Sequence, residues 1–307
     1  MTKDKRKFIL VGLGEILWDM LPDGKQLGGA PANFAYHAQA LGGRGVVVSC
    51  IGSDELGKEI LSRLKALGLE SGYIGEDENH PTGTVTVELD EMGRPNYTIH
   101  ENVAWDCIVC NRGLLDLASR VDAVCYGSLC QRSEVSRSTI REFLGTTRSD
   151  CLRVFDINLR QSYFSKEIVD TMLKMSNVLK LNDEELPVVG DLLGFGGSET
   201  DVLSRLAEVY ELRMIALTRG ADGSRLYAQG AESSCRGFAA KVADTVGAGD
   251  SFTAAMTLGL LYGKGLDWIN EFSNRLASFV CSQSGATPGL PDWLTAEFGE
   301  AGIKSME

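Results

Sequence analysis

Lys241-Val242-Ala243-Asp244-Thr245-Val246-Gly247-Ala248-Gly249-Asp250-Ser251-Phe252 is the stretch on which the reading of this chain turns. Phe238 to Val242, just before it, have the composition of a strand end. Ser251 to Tyr262, after it, are small and apolar enough for a buried helix. Gly247, Ala248 and Gly249 then fall where the helix begins. Amide N–H groups there have no intrahelical partner, and the helix dipole adds partial positive charge. No bulky side chain blocks close approach, so this is an anion site of the kind phosphates occupy. Asp250 sets a carboxylate beside it. Such a residue in a first helical turn commonly does no more than complement the dipole. Next to a phosphate site it can also take the proton from a hydroxyl that attacks a phosphoryl group.

The chain has 307 residues, 44% hydrophobic and 23% charged, which is globular composition with room for a large core in one or two domains. Its net charge of −12 argues against nucleic acid or a membrane surface as partner. A phosphate site must therefore be built locally, from amides, Mg²⁺ and a few basic side chains. The start, Met1 to Lys7, is basic and precedes the apolar run Phe8 to Leu13. Glu15 and Asp19 interrupt that run and no small-residue cleavage site follows, so a signal peptide is not expected. No stretch approaches a transmembrane span. Eight cysteines are scattered, several in apolar runs, and read as free thiols in a reducing cytoplasm. Cys107 and Cys110 have zinc-type spacing, but Cys125 and Cys130 are spaced differently in a strand-like run, so no metal site is expected from them.

Taken in order, Lys7 to Leu13 reads as a strand apolar on both faces, as in a parallel sheet. Gly12 and Gly14 begin a dinucleotide fingerprint, but Leu17 stands where its third glycine belongs, and Trp18 to Gly24 reads as a turn. Asp19 lies just beyond the first strand, where open parallel sheets bind ligands. Leu27 to Ala35 leads through Gly28, Gly29 and Pro31 into a helix to about Leu41. Asn33 there offers both a donor and an acceptor, which with Asp19 suits a polyhydroxylated ligand. Arg44 to Ile51 is a second strand. Gly52 to Glu59 fails as a phosphate loop, because Glu59 replaces the Ser or Thr that holds Mg²⁺; Asp54 instead caps a helix to Leu67. Thr82 to His100 alternates as a hairpin turning at Asp90 to Pro95, an insertion in the βα rhythm that suits a lid or a dimer contact. The rhythm resumes with strands at Ala123–Tyr126, Arg153–Ile157, Val178–Leu181 and Met214–Thr218, and Gly190 to Gly197 reads as a loop. Polar groups follow strand after strand: Gln131 and Arg132, then Asp156 to Arg160, Asn182 to Glu185, and Thr218 to Gly223.

Asp244 to Phe252 resembles the C-terminal signature of the PfkB (ribokinase-like) sugar kinases. Gly28-Gly29-Ala30-Pro31-Ala32-Asn33 is similar to that family's N-terminal glycine-rich signature, and the likeness runs over about residues 8 to 291. The resemblance implies a single α/β domain over residues 1–307. Its fold would be a ribokinase-like three-layer sandwich around a mostly parallel sheet, with a small β-sheet lid from about 17–26 and 83–100. It implies Asp250 as catalytic base and Gly247, Ala248 and Gly249 as anion hole. Asp19, Gly28, Gly29, Asn33, Gln131 and Arg160 would hold sugar hydroxyls. Asn182, Glu185, Thr218, Gly220, Gly223 and Asn274 would serve the nucleotide, with Glu185 acting on Mg²⁺ indirectly. Many relatives are activated by K⁺, for which Asp244, Val246 and Ala286 are candidates, mainly through backbone oxygens. Within the family, Gly14 to Asp19, Gly127 to Ser133 and Asp156 to Arg160 look most like fructokinases, although Ile157 stands where those relatives commonly carry Pro.

The expectation is thus a cytoplasmic, MgATP-dependent kinase acting on a monosaccharide, most like fructose, with a homodimer through the lid as a further implication. The rivals are a ribose, 2-keto-3-deoxygluconate or nucleoside kinase, and a sugar-binding pseudokinase. The intact Asp250 and its glycines speak against the last.

Overall fold

The computed structural model describes residues 7–22, 24–89, 95–228 and 230–304. The basic start up to residue 6 and the turn at 90–94 lie outside the described residues. In chain order the elements are β1 (Ile9–Leu13), β2 (Leu17–Leu21), β3 (Gly24–Gly28), α1 (Ala30–Ala40), β4 (Arg44–Gly52), α2 (Glu55–Ala66), β5 (Ile74–Asp77), β6 (Gly83–Leu89) and β7 (Pro95–Ile99). There follow α3 (Arg112–Ala118), β8 (Ala123–Tyr126), α4 (Glu134–Thr146), β9 (Leu152–Asp156), α5 (Lys166–Met175), β10 (Val178–Asn182), α6 (Glu185–Leu193), α7 (Glu199–Val209) and β11 (Met214–Thr218). The chain closes with β12 (Ser224–Ala228), β13 (Ala231–Cys235), α8 (Ala248–Leu261), α9 (Leu266–Cys281) and α10 (Asp292–Lys304). Among the described residues no helix is long and apolar enough to cross a membrane.

A nine-stranded sheet runs β13-β12-β11-β10-β9-β8-β1-β4-β5, parallel except for β12 and β13. Period-two alternation gives the central strands two apolar faces. On one side Val11, Val124, Phe155 and Leu179 pack with residues of α3 to α7. On the other, Leu10, Val154, Val178 and Met214 pack with residues of α1, α8, α9 and α10. This is the three-layer sandwich. A second sheet, β3-β2-β6-β7, joins the two lid segments through parallel pairing of β2 with β6.

Three local readings are corrected. Trp18 to Leu21 belongs to a strand, because its backbone finds partners in β3 and β6 that are remote in sequence. Residues 190–193 continue α6, which ends only where Gly194 takes the left-handed conformation (φ 75°). No strand covers Phe238 to Val242: the last strand ends at Cys235, and Phe238 and Val242 stay exposed. The N–H groups of Ala243 and Asp244 instead donate to the Cys281 carbonyl at the end of α9. The Asp54 cap stands as expected, its Oδ1 accepting from the Gly57 N–H at 2.8 Å.

Candidate active site

Gly247 caps α8 in the left-handed region (φ 79°), and a Cβ there would meet the Ala286 backbone at 2.7 Å. Only glycine permits that turn. It leaves the first N–H groups of α8 free of helical partners, with Asp250 in the first turn. The Asp250 carboxylate is partly buried, and its Oδ2 accepts from Asn33 Nδ2 at 2.8 Å. Desolvation, reinforced by the nearby Asp156 charge, raises its pKa from the ordinary carboxylate value to about 6. The group is therefore a carboxylate at neutral pH with a stronger pull on a proton than an exposed aspartate has.

A lysine stands at the same place, and no local motif announced it. Lys180 and Asp156 are direct neighbours across β10 and β9. Alternation puts both on the side where Val178 and Val154 pack, which is the α8 side. Lys180 Nζ donates to Asp156 Oδ1 at 3.0 Å, and Thr253 Oγ1 of α8 donates to Asp156 Oδ2 at 2.9 Å. Nζ also lies 3.2 Å from where a Cβ on Gly249 would be. Glycine at 249 thus keeps open the approach between helix N-terminus and ammonium group. Burial works against the Lys180 charge, and the carboxylates of Asp156 and Glu185 outweigh it, so its pKa lies above the usual lysine value. A charged residue inside the apolar run Val178 to Leu181 was the available signal.

Around Asp250, several buried polar atoms have no hydrogen-bond partner among the described residues: Glu15 Oε2, Asn33 Oδ1 and Gln131 Oε1. Glu15, between β1 and β2, is almost fully buried, and desolvation lifts its pKa to about 7 against the pull of its own backbone hydrogen bond. Gln131 Nε2 donates to the Gly127 carbonyl at 2.9 Å, and Gly127 and Asp250 line one small pocket with Pro31, Tyr126 and Asp156. Asp19 lies on β2, opposite Gln26 of β3, and burial raises its pKa to about 6, with Asp244 adding to the rise. A side chain at Gly28 would run into the Asp19 carboxylate. Gly29 caps α1. Arg160 is exposed, donates to its neighbour Leu159's carbonyl, and is close enough to lower the pKa values of Glu15, Asp19 and Asp250.

The residues assigned to the nucleotide behave differently. Asn182 Oδ1 accepts from the Glu184 and Glu185 N–H groups at 3.0 and 2.7 Å. Both Glu185 oxygens accept backbone N–H groups, those of Leu159 and Asn182. Thr218 ends β11, and Gly220 and Gly223 flank the short turn into β12. Asn274 of α9 is buried and spends its amide on Ser224 Oγ and on Asn270. Asp244 ties its own loop together, accepting from the Val246 and Gly285 N–H groups. The Ala286 carbonyl accepts from buried His37 at 2.9 Å.

The family model for pfkB family carbohydrate kinases matches residues 23–293. A fructokinase of Salmonella typhimurium is 30% identical over 81% of this chain and 83% of its own. The crystal structure of a fructokinase with bound ATP from Xylella fastidiosa superposes with a TM-score of 0.82 at 20% identity, covering 98% of this chain and all of the other. A double mutant of the Vibrio cholerae fructokinase, in its fructose-, ADP- and potassium-bound form, does so at 0.77 and 22% identity, covering 96% and 99%. A glycine-capped helix N-terminus with a raised-pKa aspartate at the mouth of a ribokinase-like sheet, and a family match over most of its length, make this chain a member of the pfkB family of carbohydrate kinases.

Proposed function

We propose that this protein transfers the γ-phosphoryl group of ATP to the primary hydroxyl of a monosaccharide, converting D-fructose to fructose 6-phosphate. The observation that carries the reading is Asp250, held by Asn33 in the first turn of the glycine-capped α8, near buried polar atoms without a partner. Asp250 takes the C6 hydroxyl proton as that oxygen attacks the γ-phosphorus. The N–H groups at Gly247 to Gly249 and the Lys180 ammonium stabilise the charge that builds on the phosphoryl oxygens. Asp19, Asn33, Gln131 and Arg160 hold the remaining hydroxyls, with Gly28 and Gly29 clearing space. The turn at Thr218, Gly220 and Gly223, with Asn182 and Asn274, shapes the nucleotide side.

Mg²⁺, when bound, neutralises phosphate charge. Glu185 fits an indirect role toward it, since both its oxygens already serve backbone N–H groups and Mg²⁺ retains waters. The loop of Asp244, Val246 and Ala286 is the candidate for K⁺, with one lone pair of the Ala286 carbonyl already given to His37. All eight cysteines are free, which suits the cytoplasm.

The preference for fructose draws on fructokinases among the relatives and on the site's unpaired acceptors. Buried groups matched to particular hydroxyls discriminate strongly, because an analogue lacking them leaves those groups unsatisfied. ADP release should be measured with MgATP and K⁺ on fructose, ribose, glucose, tagatose and 2-keto-3-deoxygluconate. Fructose should lead ribose and glucose in kcat/KM by about 10²-fold or more. A lead for ribose or the keto-deoxy acid replaces the substrate and leaves the kinase; turnover of none of them removes the kinase reading itself.

A further inference from the structure

Two of the four connectors that tie the second sheet to the body meet at a cluster of metal-ligating side chains. One runs from Asp77 at the end of β5 through His80 into β6; the other runs from β7 through a short helical turn, Ala104–Cys107. The donor atoms of Asp77, His80 and Cys107 all lie within 4.8 Å of one another. His80 Nδ1 is 2.9 Å from Asp77 Oδ2 and 3.5 Å from Cys107 Sγ. We propose that Asp77, His80 and Cys107 form a site for a zinc-class divalent transition metal that clips the two lid connectors together.

A catalytic relay and a simple turn each fit the geometry less well. In a Cys-His-Asp relay the thiol and the carboxylate engage opposite ring nitrogens. Here Sγ is nearer to Nδ1 than to Nε2, at 3.5 against 3.9 Å, and Asp77 also faces Nδ1. Sγ thus lies over the ring beside Nδ1, and a turn of the His80 or Cys107 side chain brings thiolate, imidazole and carboxylate onto one ion. A mere turn stabilised by Asp77 uses its Oδ1 for the Asn79 and His80 N–H groups and its Oδ2 for His80 Nδ1, and gives Cys107 no part.

The spacing matches a metal. Zn–S and Zn–N bonds of about 2.3 and about 2.05 Å give a tetrahedral S···N edge of about 3.5–3.6 Å, the separation found. The N···O edge is about 3.3–3.4 Å, so the Asp77–His80 contact needs to open by roughly half an ångström. Thiolate, imidazole and carboxylate together suit zinc-class ions and not Mg²⁺ or Ca²⁺. The fourth position is left to water. Asp77 and Cys107 line a cleft of about 280 Å³, which supplies an entry path.

The surrounding backbone is held in place. The Asp77 carbonyl accepts from the Ser53 N–H, the Pro81 carbonyl accepts from the Ala104 N–H, and Asp106 forms a buried ion pair with Arg132. Binding forms the metal–sulfur bond as the Cys107 thiol gives its proton to solvent. Cys110, the other half of the zinc-type spacing, takes no part in the cluster.

The test is a Co²⁺ titration of the full chain, purified with chelator and then kept anaerobic, read by absorption. A near-ultraviolet thiolate-to-cobalt band saturating at one ion per chain is expected, removed by Zn²⁺ and accompanied by a higher Tm. Cys107→Ser should abolish the band, His80→Ala should weaken binding by at least about tenfold, and Cys110→Ser should leave it intact. Absence of the band overturns the proposal, and so does a band that survives Cys107→Ser and His80→Ala or one that follows Cys110. None of these readouts depends on the chain being a kinase.

Discussion

On the acceptor side of Asp250, Glu15, Asn33 and Gln131 each keep a buried oxygen without a partner. On the proposed nucleotide side, Asn182 and Glu185 spend their oxygens on backbone N–H groups, and Asn274 gives its amide N–H groups to Ser224 and Asn270. Unpaired buried polar atoms cost free energy in the unliganded protein, and a ligand that pairs them recovers it. In the proposed function the first side reads hydroxyls with side chains. The second uses its side chains to hold loops and helix ends, which in the proposed function leaves backbone and shape to meet the nucleotide. Substitutions on the first side should therefore change kinetics and spare or raise stability, and those on the second should do the reverse.

The largest effect expected is from Asp250→Asn. Loss of a general base lowers kcat by about 10²–10⁴, with much smaller changes in either KM. The same variant should be the more stable at neutral pH. The folded-state pKa of Asp250, about 6, lies above its unfolded value, so the native protein prefers the proton. What the group contributes is fully present below the unfolded pKa and is lost as pH rises through about 6. The neutral amide of the variant is spared that loss, so its gain in Tm should appear at about pH 7 and fade toward about pH 4. A kcat within a few-fold of wild type would take away the base.

Lys180→Met comes next. It strands Asp156 as an unpaired buried carboxylate, and breaking such a pair costs about 3–5 kcal/mol. Adding Asp156→Leu should restore much of the stability and none of the turnover. Recovery of turnover in the double variant would reduce Lys180 to a structural residue.

The lid gives a smaller, diagnostic change. Replacing Thr84 to Ile99 with a short Gly-Ser turn should raise the sugar KM and the ratio of ATP hydrolysis to sugar phosphorylation, because closure excludes water. Sedimentation of the same variant tests whether the hairpin also joins two copies. If none of the three changes, the hairpin has no role in catalysis or assembly.

For wild type, kcat/KM for sugar at saturating MgATP should fall about tenfold per pH unit below about 6, where Asp250 becomes protonated. A flat profile down to about pH 5 would break the link between the Asp250 carboxylate and proton transfer.

Asn182→Ala should matter least. It removes the acceptor of the Glu184 and Glu185 N–H groups at the start of α6, a loss of about 1 kcal/mol, and should leave kcat and the sugar KM near wild type. A tenfold rise in the ATP KM with an unchanged Tm would show the amide touching nucleotide, and the contrast between the two sides would fail there.

Residues 244–252, the Asp54 cap and the alternation of β6 were legible because their physics is local. A helix N-terminus needs only a few consecutive residues to make an anion site, and a strand face needs only period two. The sequence by itself thus determined a βα architecture and a glycine-capped helix start with Asp250 in its first turn. Tertiary structure alone decided that Lys180 meets Asp156, since strand register sets that pair across 24 positions. It decided that Trp18 to Leu21 extends, because the partners of that strand lie in β3 and β6. It decided that Phe238 to Val242 stays off the sheet, and that Glu15 is buried with an oxygen to spare. His80 and Cys107 likewise meet only because two lid connectors return to one spot. In each case the deciding quantity is burial or a contact between distant segments, and neither is a property of neighbouring residues.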